Sequence, residues 1–458
     1  MVRLTSHTLA DLQVGMTAEL TRLCVTDDLY VFANASGNLN PMHLPKLDGD
    51  GDGVAEAVAP SMWLAALISA VLGNQLPGPG TLLRAQALTF HQRVHAGETV
   101  TAKVEVTHIQ PDGSVTLGTS VTRADGIRVV EGTADVIAPP RAHSVEIGDV
   151  PGLTLQQHVH FDQLLARAAP LPALRCAVVA PEEEAALDGA LIAADETLID
   201  PILVGDAAEI AQTAKALGRD IAAFEVVHAP DHEAAAARAV ELVHEGRAQA
   251  VMKGHLHTDT LLRHVVKRAG GLRTGRRLSH VFVMDVPGLD HMLAITDAAI
   301  NIAPDLTAKQ DITQNAIDLM RALGVDTPRV GVLSAVETVN PAIPSTLDAA
   351  ALSKMADRGQ ITGGLVDGPL AMDNAIDISA ARRKGIKSLV AGKADVLVAP
   401  NLEAGNMIAK ELTFLAHAEA AGVVIGAQVP IILTSRADTK AARRASCAVA
   451  ALYAAHRA

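Results

Sequence analysis

Val281-Phe282-Val283-Met284-Asp285-Val286-Pro287-Gly288 is a short apolar run closed by a carboxylate and a Pro-Gly turn. A run of this length, bounded by turn residues, reads as a strand buried on both faces rather than as a helix. The same pattern recurs at Cys176–Ala180, Ile202–Gly205, Ala250–Gly254, Val330–Ser334, Gly364–Gly368, Val396–Pro400 and Ile431–Ser435, with helical stretches between. Strands alternating with helices predict βαβ units, a mostly parallel sheet and an α/β fold from about residue 161 onward. Composition agrees: with one Trp, two Tyr and six Phe, the cores must be built from Ala, Val, Leu and Ile.

Ahead of this region the period changes. Thr99–Thr107 and Ser114–Arg123 alternate apolar and polar residues, the signature of half-exposed antiparallel strands, and Met62–Leu72 reads as one buried helix wrapped by them. This predicts an α+β domain over 1–138. A polar, Pro/Gly-containing linker is expected over 139–160, and the α/β domain over 161–458.

At 458 residues the chain is long enough for two or three cores. Its formal net charge of −13 argues against nucleic-acid binding, which needs a basic footprint. No apolar stretch is long enough to span a bilayer, and the N-terminal residues have no apolar signal core, so a cytoplasmic location is expected. Cys24, Cys176 and Cys447 are scattered and read as reduced, buried thiols. His255-Leu256-His257 has no third ligand at a supporting spacing, so no metal is expected. Asp48-Gly49-Asp50-Gly51-Asp52-Gly53 opens like a calcium loop, but its twelfth position is Ala59 rather than Glu, and it reads as a flexible surface loop.

Polar turns follow the apolar runs: KGHLHTD, MDVPG, SAVETVNP, VDGPLAMDN, APNLEAGN and TSRADT. In open α/β sheets ligands sit beyond the carboxyl ends of strands, so these turns are expected to line one crevice. Three segments suit an anion. Ser345 or Thr346, after Pro344, is expected to cap a helix whose first N–H groups are free. Thr434-Ser435-Arg436-Ala437-Asp438-Thr439 joins hydroxyls and a guanidinium to a helix start. Leu272–Ser279 is a compact basic turn containing Arg276 and Arg277. No GxGxxG, P-loop or GxSxG motif is present.

The stretches RTGRRLSHVFVMDVPG, TDAAINIAPDLTAKQDI, SAVETVNPAIPSTLDAAALSKMADRGQI, GGLVDGPLAMDNAI, GKADVLVAPNLEAGNMIAKEL and AGVVIGAQVPIILTSRADT closely resemble the phosphate acetyl/butyryltransferase family, the butyryl-type branch most of all. The resemblance implies two α/β/α lobes, about 161–295 with 428–458 and about 296–427, around an inter-lobe cleft. It also implies reversible acyl transfer between coenzyme A and inorganic phosphate, both as substrates, with no cofactor, and assembly into homo-oligomers. Ser435 would bond the thiol or acyl oxygen and Arg436 the phosphoryl group. Thr434, Arg276, Arg277, Ser345, Thr346 and Asn406 would bind phosphate or CoA. Acetyltransferase relatives carry a proposed base Asp seven residues after the Ser; Ala442 stands there, and Asp438 is the substitute. Where they carry an Arg, four residues beyond Lys410, this chain has Phe414.

Phe32-Ala33-Asn34-Ala35-Ser36-Gly37-Asn38-Leu39-Asn40-Pro41-Met42-His43, LAALISAVLGNQLPGPGTLL and the Gly97-Glu98 turn resemble MaoC-like hotdog enoyl-CoA hydratases. His43 of the hydratase-like pair is present, but Asn38 replaces the acid/base Asp, and an amide accepts no proton near neutral pH. Pro60-Ser61 also departs from the usual His-Gly. The resemblance implies an inactive or weakly active hotdog domain that binds acyl-CoA or supports dimerisation. The alternatives are a bifunctional hydratase and acyltransferase, and a non-enzymatic acyl-CoA-binding scaffold.

Overall fold

A computed structural model describes residues 2–148, 152–433 and 438–457. The chain divides into two compact units, Met1–Leu153 and Thr154–Ala458.

In the first unit five antiparallel strands run in the order β2-β4-β5-β6-β3: β2 Thr17–Leu23, β3 Leu82–Phe90, β4 Thr99–Ile109, β5 Ser114–Arg123 and β6 Arg128–Ile137. Helix α1 is Thr26–Ser36, and α2, Ser61–Asn74, is the central helix. The alternation read from the sequence has a physical cause here. Val100, Ala102, Val104 and Val106 of β4 point to the core while Thr101, Lys103 and Glu105 point away. The inward set meets Leu64, Leu67, Ile68 and Val71 of α2, which is the hotdog arrangement. Each Val, Leu or Ile of this set taken out of water contributes about 1.5–3 kcal/mol. The expected linker contains a further strand: β7, Ser144–Ile147, pairs antiparallel with β1, Val2–Thr5. The Asp48–Gly53 loop is tied by its own carboxylates, Asp48 accepting from Gly51 N at 2.6 Å and from Gly53 N at 2.7 Å.

The second unit is built on one mixed sheet of eleven strands. They are β8 Leu174–Val179, β9 Ile199–Gly205, β10 Glu225–His228, β11 Ala250–Lys253, β12 Ser279–Asp285, β13 Leu293–Thr296, β14 Arg329–Leu333, β15 Leu365–Leu370, β16 Val396–Val398, β17 Glu419–Ile425 and β18 Ile431–Ile432. Their order is β10-β9-β8-β11-β18-β17-β12-β13-β16-β14-β15. The helices are α3 Val159–Ala168, α4 Glu184–Asp195, α5 Ala207–Ala216, α6 His232–His244, α7 Thr258–Val265, α8 Leu306–Ala322, α9 Pro344–Asp357, α10 Met372–Ile376, α11 Ile378–Arg383, α12 Leu402–Leu415 and α13 Lys440–Arg457. Successive residues of β8 enter different cores: Cys176 and Val178 pack with α4 and α13, Ala177 and Val179 with α6 and α7. That two-sided burial is why these strands lack alternation.

The pairing corrects the single crevice expected from the polar turns. β8, β9, β10, β11 and β18 are parallel to one another, and β17 is antiparallel to both β18 and β12. β13 is antiparallel to β12 and parallel to β16, which together with β14 and β15 completes the sheet. The two halves therefore run in opposite senses. KGHLHTD and MDVPG leave one edge, the one to which β18 also points, whereas SAVETVNP, VDGPLAMDN and APNLEAGN leave the other. The reversal falls at the antiparallel pair β12 and β13, since β17 is antiparallel to both its neighbours and leaves β18 and β12 pointing the same way; the apolar-run reading identified neither β13 nor β17. β17, grouped with the second lobe on sequence, is hydrogen-bonded between β18 and β12.

Candidate active site

Thr434, Ser435 and Arg436 lie outside the described residues, between Leu433 and Asp438. Leu433 N bonds Gly422 O at 3.1 Å, which fixes where β18 ends against β17. Beyond the gap, Asp438 is half-buried. Thr439 immediately precedes the last helix, its Oγ1 accepting from Ala442 N at 3.0 Å and its O from Arg443 N at 3.1 Å.

The basic turn is a built feature. Thr274 Oγ1 donates to Gly426 O at 2.6 Å, and Asn315 Nδ2 donates to Arg277 O and to Ser279 Oγ, both at 2.9 Å. Gly426 has φ +96°, and a Cβ there would meet Arg277 O at 2.5 Å, so only glycine lets the β17–β18 connection approach this closely. The turn's cations divide into two kinds. The Arg276 guanidinium is paired with Asp318. Arg273 and Arg277 form no ion pair among the described residues. Both line a cavity of about 480 Å³ with Val266, Leu278, Ile300 and Asn301. The Asp311 carboxylate on the same wall accepts from Arg277 N at 3.0 Å.

One wall of that cavity comes from the loop after β13. Asp297 is buried and organises it, Oδ1 accepting from Ala299 N at 2.8 Å and Ile300 N at 2.9 Å, and Oδ2 from Asn301 Nδ2 at 2.6 Å. Asn301 also donates to Leu278 O at 2.9 Å, tying the loop to the basic turn. Beneath it, burial pushes the His280 imidazole down to about 4, so this ring is neutral at pH 7. Helix α12 approaches the same loop through Gly405, and Asn406 Nδ2 donates to Ala298 O at 3.1 Å. Arg277 and Asn406 thus reach one neighbourhood through residues 297–301. Asp297 and Asn301 were not singled out from the sequence; their only signal is the Asx-type spacing within TDAAIN.

Ser345 and Thr346 behave differently from expectation. The N-cap of α9 is Ile343, with no side-chain cap, because Pro344 takes the first helical position, where its fixed φ and missing N–H fit. Thr346 is buried, its Oγ1 held by Asn340 O at 2.9 Å and Ile343 O at 2.8 Å, and Ser345 Oγ lies 2.8 Å from Ser334 Oγ.

In the first unit, a carbonyl can only accept, so His43 Nδ1 donates to Val58 O at 2.8 Å and Nε2 is the basic nitrogen. The ring lines a cavity of about 540 Å³ with Met42, Ser61, Phe90 and Arg93. Asn38 is absent from that lining, and its Oδ1 accepts from Asn40 N at 3.3 Å.

The family model described as phosphate acetyl/butaryl transferase matches residues 231–451, and that described as MaoC like domain matches residues 9–125. A phosphate acetyltransferase of Rhizobium meliloti is 61% identical over 298 residues, 65% of this chain and 94% of the relative. A phosphate butyryltransferase of Clostridium acetobutylicum is 43% identical over 294 residues, 64% of this chain and 98% of the relative. The crystal structure of a branched-chain phosphotransacylase from Enterococcus faecalis V583 matches with a TM-score of 0.54 at 29% identity, covering 61% of this chain and 99% of that one. The 61% identity across 94% of the acetyltransferase settles kinship: this chain belongs to the phosphate acetyl/butyryltransferase family and carries a MaoC-like domain ahead of its transferase unit.

Proposed function

We propose that the chain reversibly transfers a short acyl group between coenzyme A and inorganic phosphate, with no resident cofactor or metal. The observation that carries this reading is the 61% identity to a phosphate acetyltransferase over 94% of its length. The chemistry asks little of the protein. A thioester and an acyl phosphate are both activated already, so alignment of the reactants and stabilisation of the tetrahedral oxyanion suffice. Ser435 is assigned the thiol or acyl oxygen, Arg436 with Thr434 the phosphoryl group, and Asp438 the proton. The test is phosphate-dependent release of free CoA from acetyl-, propionyl- and butyryl-CoA, followed with a thiol reagent. Release is expected with acetyl-CoA first, given the higher identity to the acetyltransferase. No release with any chain overturns the proposal.

The enzyme is further proposed to work as a cytoplasmic homo-oligomer. Among the described residues no helix is long and apolar enough to cross a membrane. Two surfaces support self-association. Edge strand β3 exposes Leu82, Leu83 and Phe90, and an unpaired edge can pair antiparallel with its own copy across a two-fold axis. Helix α12 exposes Met407, Phe414 and Leu415. Light scattering on the purified chain tests this, and a monomer at micromolar concentration refutes it.

A further inference from the structure

We propose that a cavity of about 640 Å³ at the amino-terminal ends of β8, β11 and β18 binds a small apolar carboxylic acid and modulates acyl transfer through β18 and α13. The modulation rests on the transferase reading above; the binding does not. The first ground is position. Leu174 opens β8, Gln249 immediately precedes β11 and Pro430 immediately precedes β18, and all three line the cavity. These strands are adjacent and parallel, so the cavity lies at the edge opposite to the carboxyl ends where an open α/β sheet binds its substrates. The two elements that flank residues 434–439 in the chain both reach it. β18 starts beside Pro430 and leads to that segment, and α13 follows the segment and brings Ala451, Ala454 and Arg457 to the cavity. From Lys440 to Ala454 is about 21 Å along a helix axis, too far for one small ligand to touch both ends. Ala445, Cys447, Ala448 and Val449 are buried between them, and a close-packed helix passes a displacement at one end to the other.

The second ground is chemistry. Leu171, Val243 and Val429 supply an apolar wall, and alanine at 451 and 454 leaves open the space that larger side chains would fill. An apolar hollow of this size with few polar groups is what a small ligand needs. Those groups are the amides of Gln249 and Gln428 and the guanidinium of Arg457. Arg457 Nη1 donates to Ala427 O at 3.2 Å and to Gln428 O at 3.4 Å, and the group lies 5.5 Å from the centre of the Tyr453 ring. These contacts fix the guanidinium without cancelling its charge. It forms no ion pair among the described residues of a protein of net charge −13. A carboxylate meets such a group with two parallel hydrogen bonds. One cation beside an apolar wall suits a monoanion with a hydrocarbon tail, whereas the phosphates of a nucleotide would call for several cations.

Calorimetric titration of the full chain with octanoate and with octanol, for the parent, A454F and R457Q, tests the site. A454F fills the hollow and R457Q removes the charge; A454M replaces A454F if thermal unfolding shows the larger residue is not tolerated. Octanoate should bind the parent, and A454F should weaken it at least about tenfold. R457Q should weaken octanoate about tenfold and octanol less than about twofold. Saturating octanoate should change kcat or the phosphate KM of CoA release at least about twofold in the parent and leave A454F unmoved. No octanoate binding to the parent, or equal losses of octanoate and octanol in R457Q, overturns the proposal. A kinetic effect that persists in A454F would place octanoate at the reaction site. A smaller particle for A454F by light scattering, with no octanoate bound by the parent, would make this face an interface between copies. Either result also overturns it, and binding that leaves turnover unmoved overturns the modulation. A parent that binds octanoate but releases no CoA would sink the transferase reading and leave the binding site standing.

Discussion

Asp285 and Glu419 face each other across the antiparallel β12 and β17, and Oδ1 of Asp285 is buried with no hydrogen-bond partner among the described residues. Oδ2 accepts from Phe161 N at 2.8 Å, so this carboxylate serves as the missing cap of α3. Burial is the main cause that raises the pKa of both groups, and Asp285 raises Glu419 further, against the opposing pull of His158, His160 and Arg444.

That pair predicts a pH dependence with a definite sign. The folded state keeps these protons to higher pH than the unfolded chain does. Stability is therefore lost as pH rises from the ordinary carboxylate range through the raised values. Glu419→Gln removes one of the two groups, so its Tm should fall less than the parent's between about pH 4 and about pH 7. Thermal unfolding across that range checks it; parallel curves for parent and variant would refute the coupling.

Lys309 is buried and its Nζ meets Asp348 Oδ2 at 2.7 Å, bridging α8 and α9. Removing one partner strands the other charge, whereas removing both does not. Lys309→Met should cost on the order of 3 kcal/mol, and adding Asp348→Leu should recover most of it. Urea unfolding of the three proteins measures the difference, and equal losses in single and double variants would contradict it.

Gly405 sits inside α12, where alanine would ordinarily help by about 1 kcal/mol. A Cβ there would lie 2.4 Å from Asp297 O, and backbone cannot swing aside. Overpacking, at about 1–3 kcal/mol, should outweigh the propensity gain. Gly405→Ala is expected to lower the unfolding midpoint and weaken acyl transfer; a stabilised, fully active variant would show that the helix shifts freely.

Arg436→Ala should lower phosphate-dependent CoA release about a hundredfold, mainly through phosphate. Steady-state kinetics over a phosphate series resolves this, and unaltered constants would take Arg436 out of the site.

The hotdog unit should leave crotonyl-CoA absorbance unchanged or nearly so, because Asn38 supplies no base. Asn38→Asp keeps an oxygen for Asn40 N, so the loop should hold. Because residue 38 lies outside the lining of the cavity that holds His43, this one change should raise hydration by less than about tenfold. Brisk hydration by the unaltered chain would prove Asn38 harmless.

The sequence alone determined the local elements and the family. Apolar runs such as Val281–Asp285 read as buried strands because both their faces are covered, and Thr99–Thr107 alternates because only one of its faces is. Those are properties of a strand and its immediate surroundings, written in residue order. Strand direction is not. β13 is too short to announce that it runs against β12, yet that pairing decides that the turns after β14, β15 and β16 leave the opposite edge from those after β11 and β12. Nor does composition separate three arginines in one turn. Only the packing of α8 brings Asp318 to Arg276 and leaves Arg273 and Arg277 facing a cavity, because a charge is neutralised by what lies near it in space.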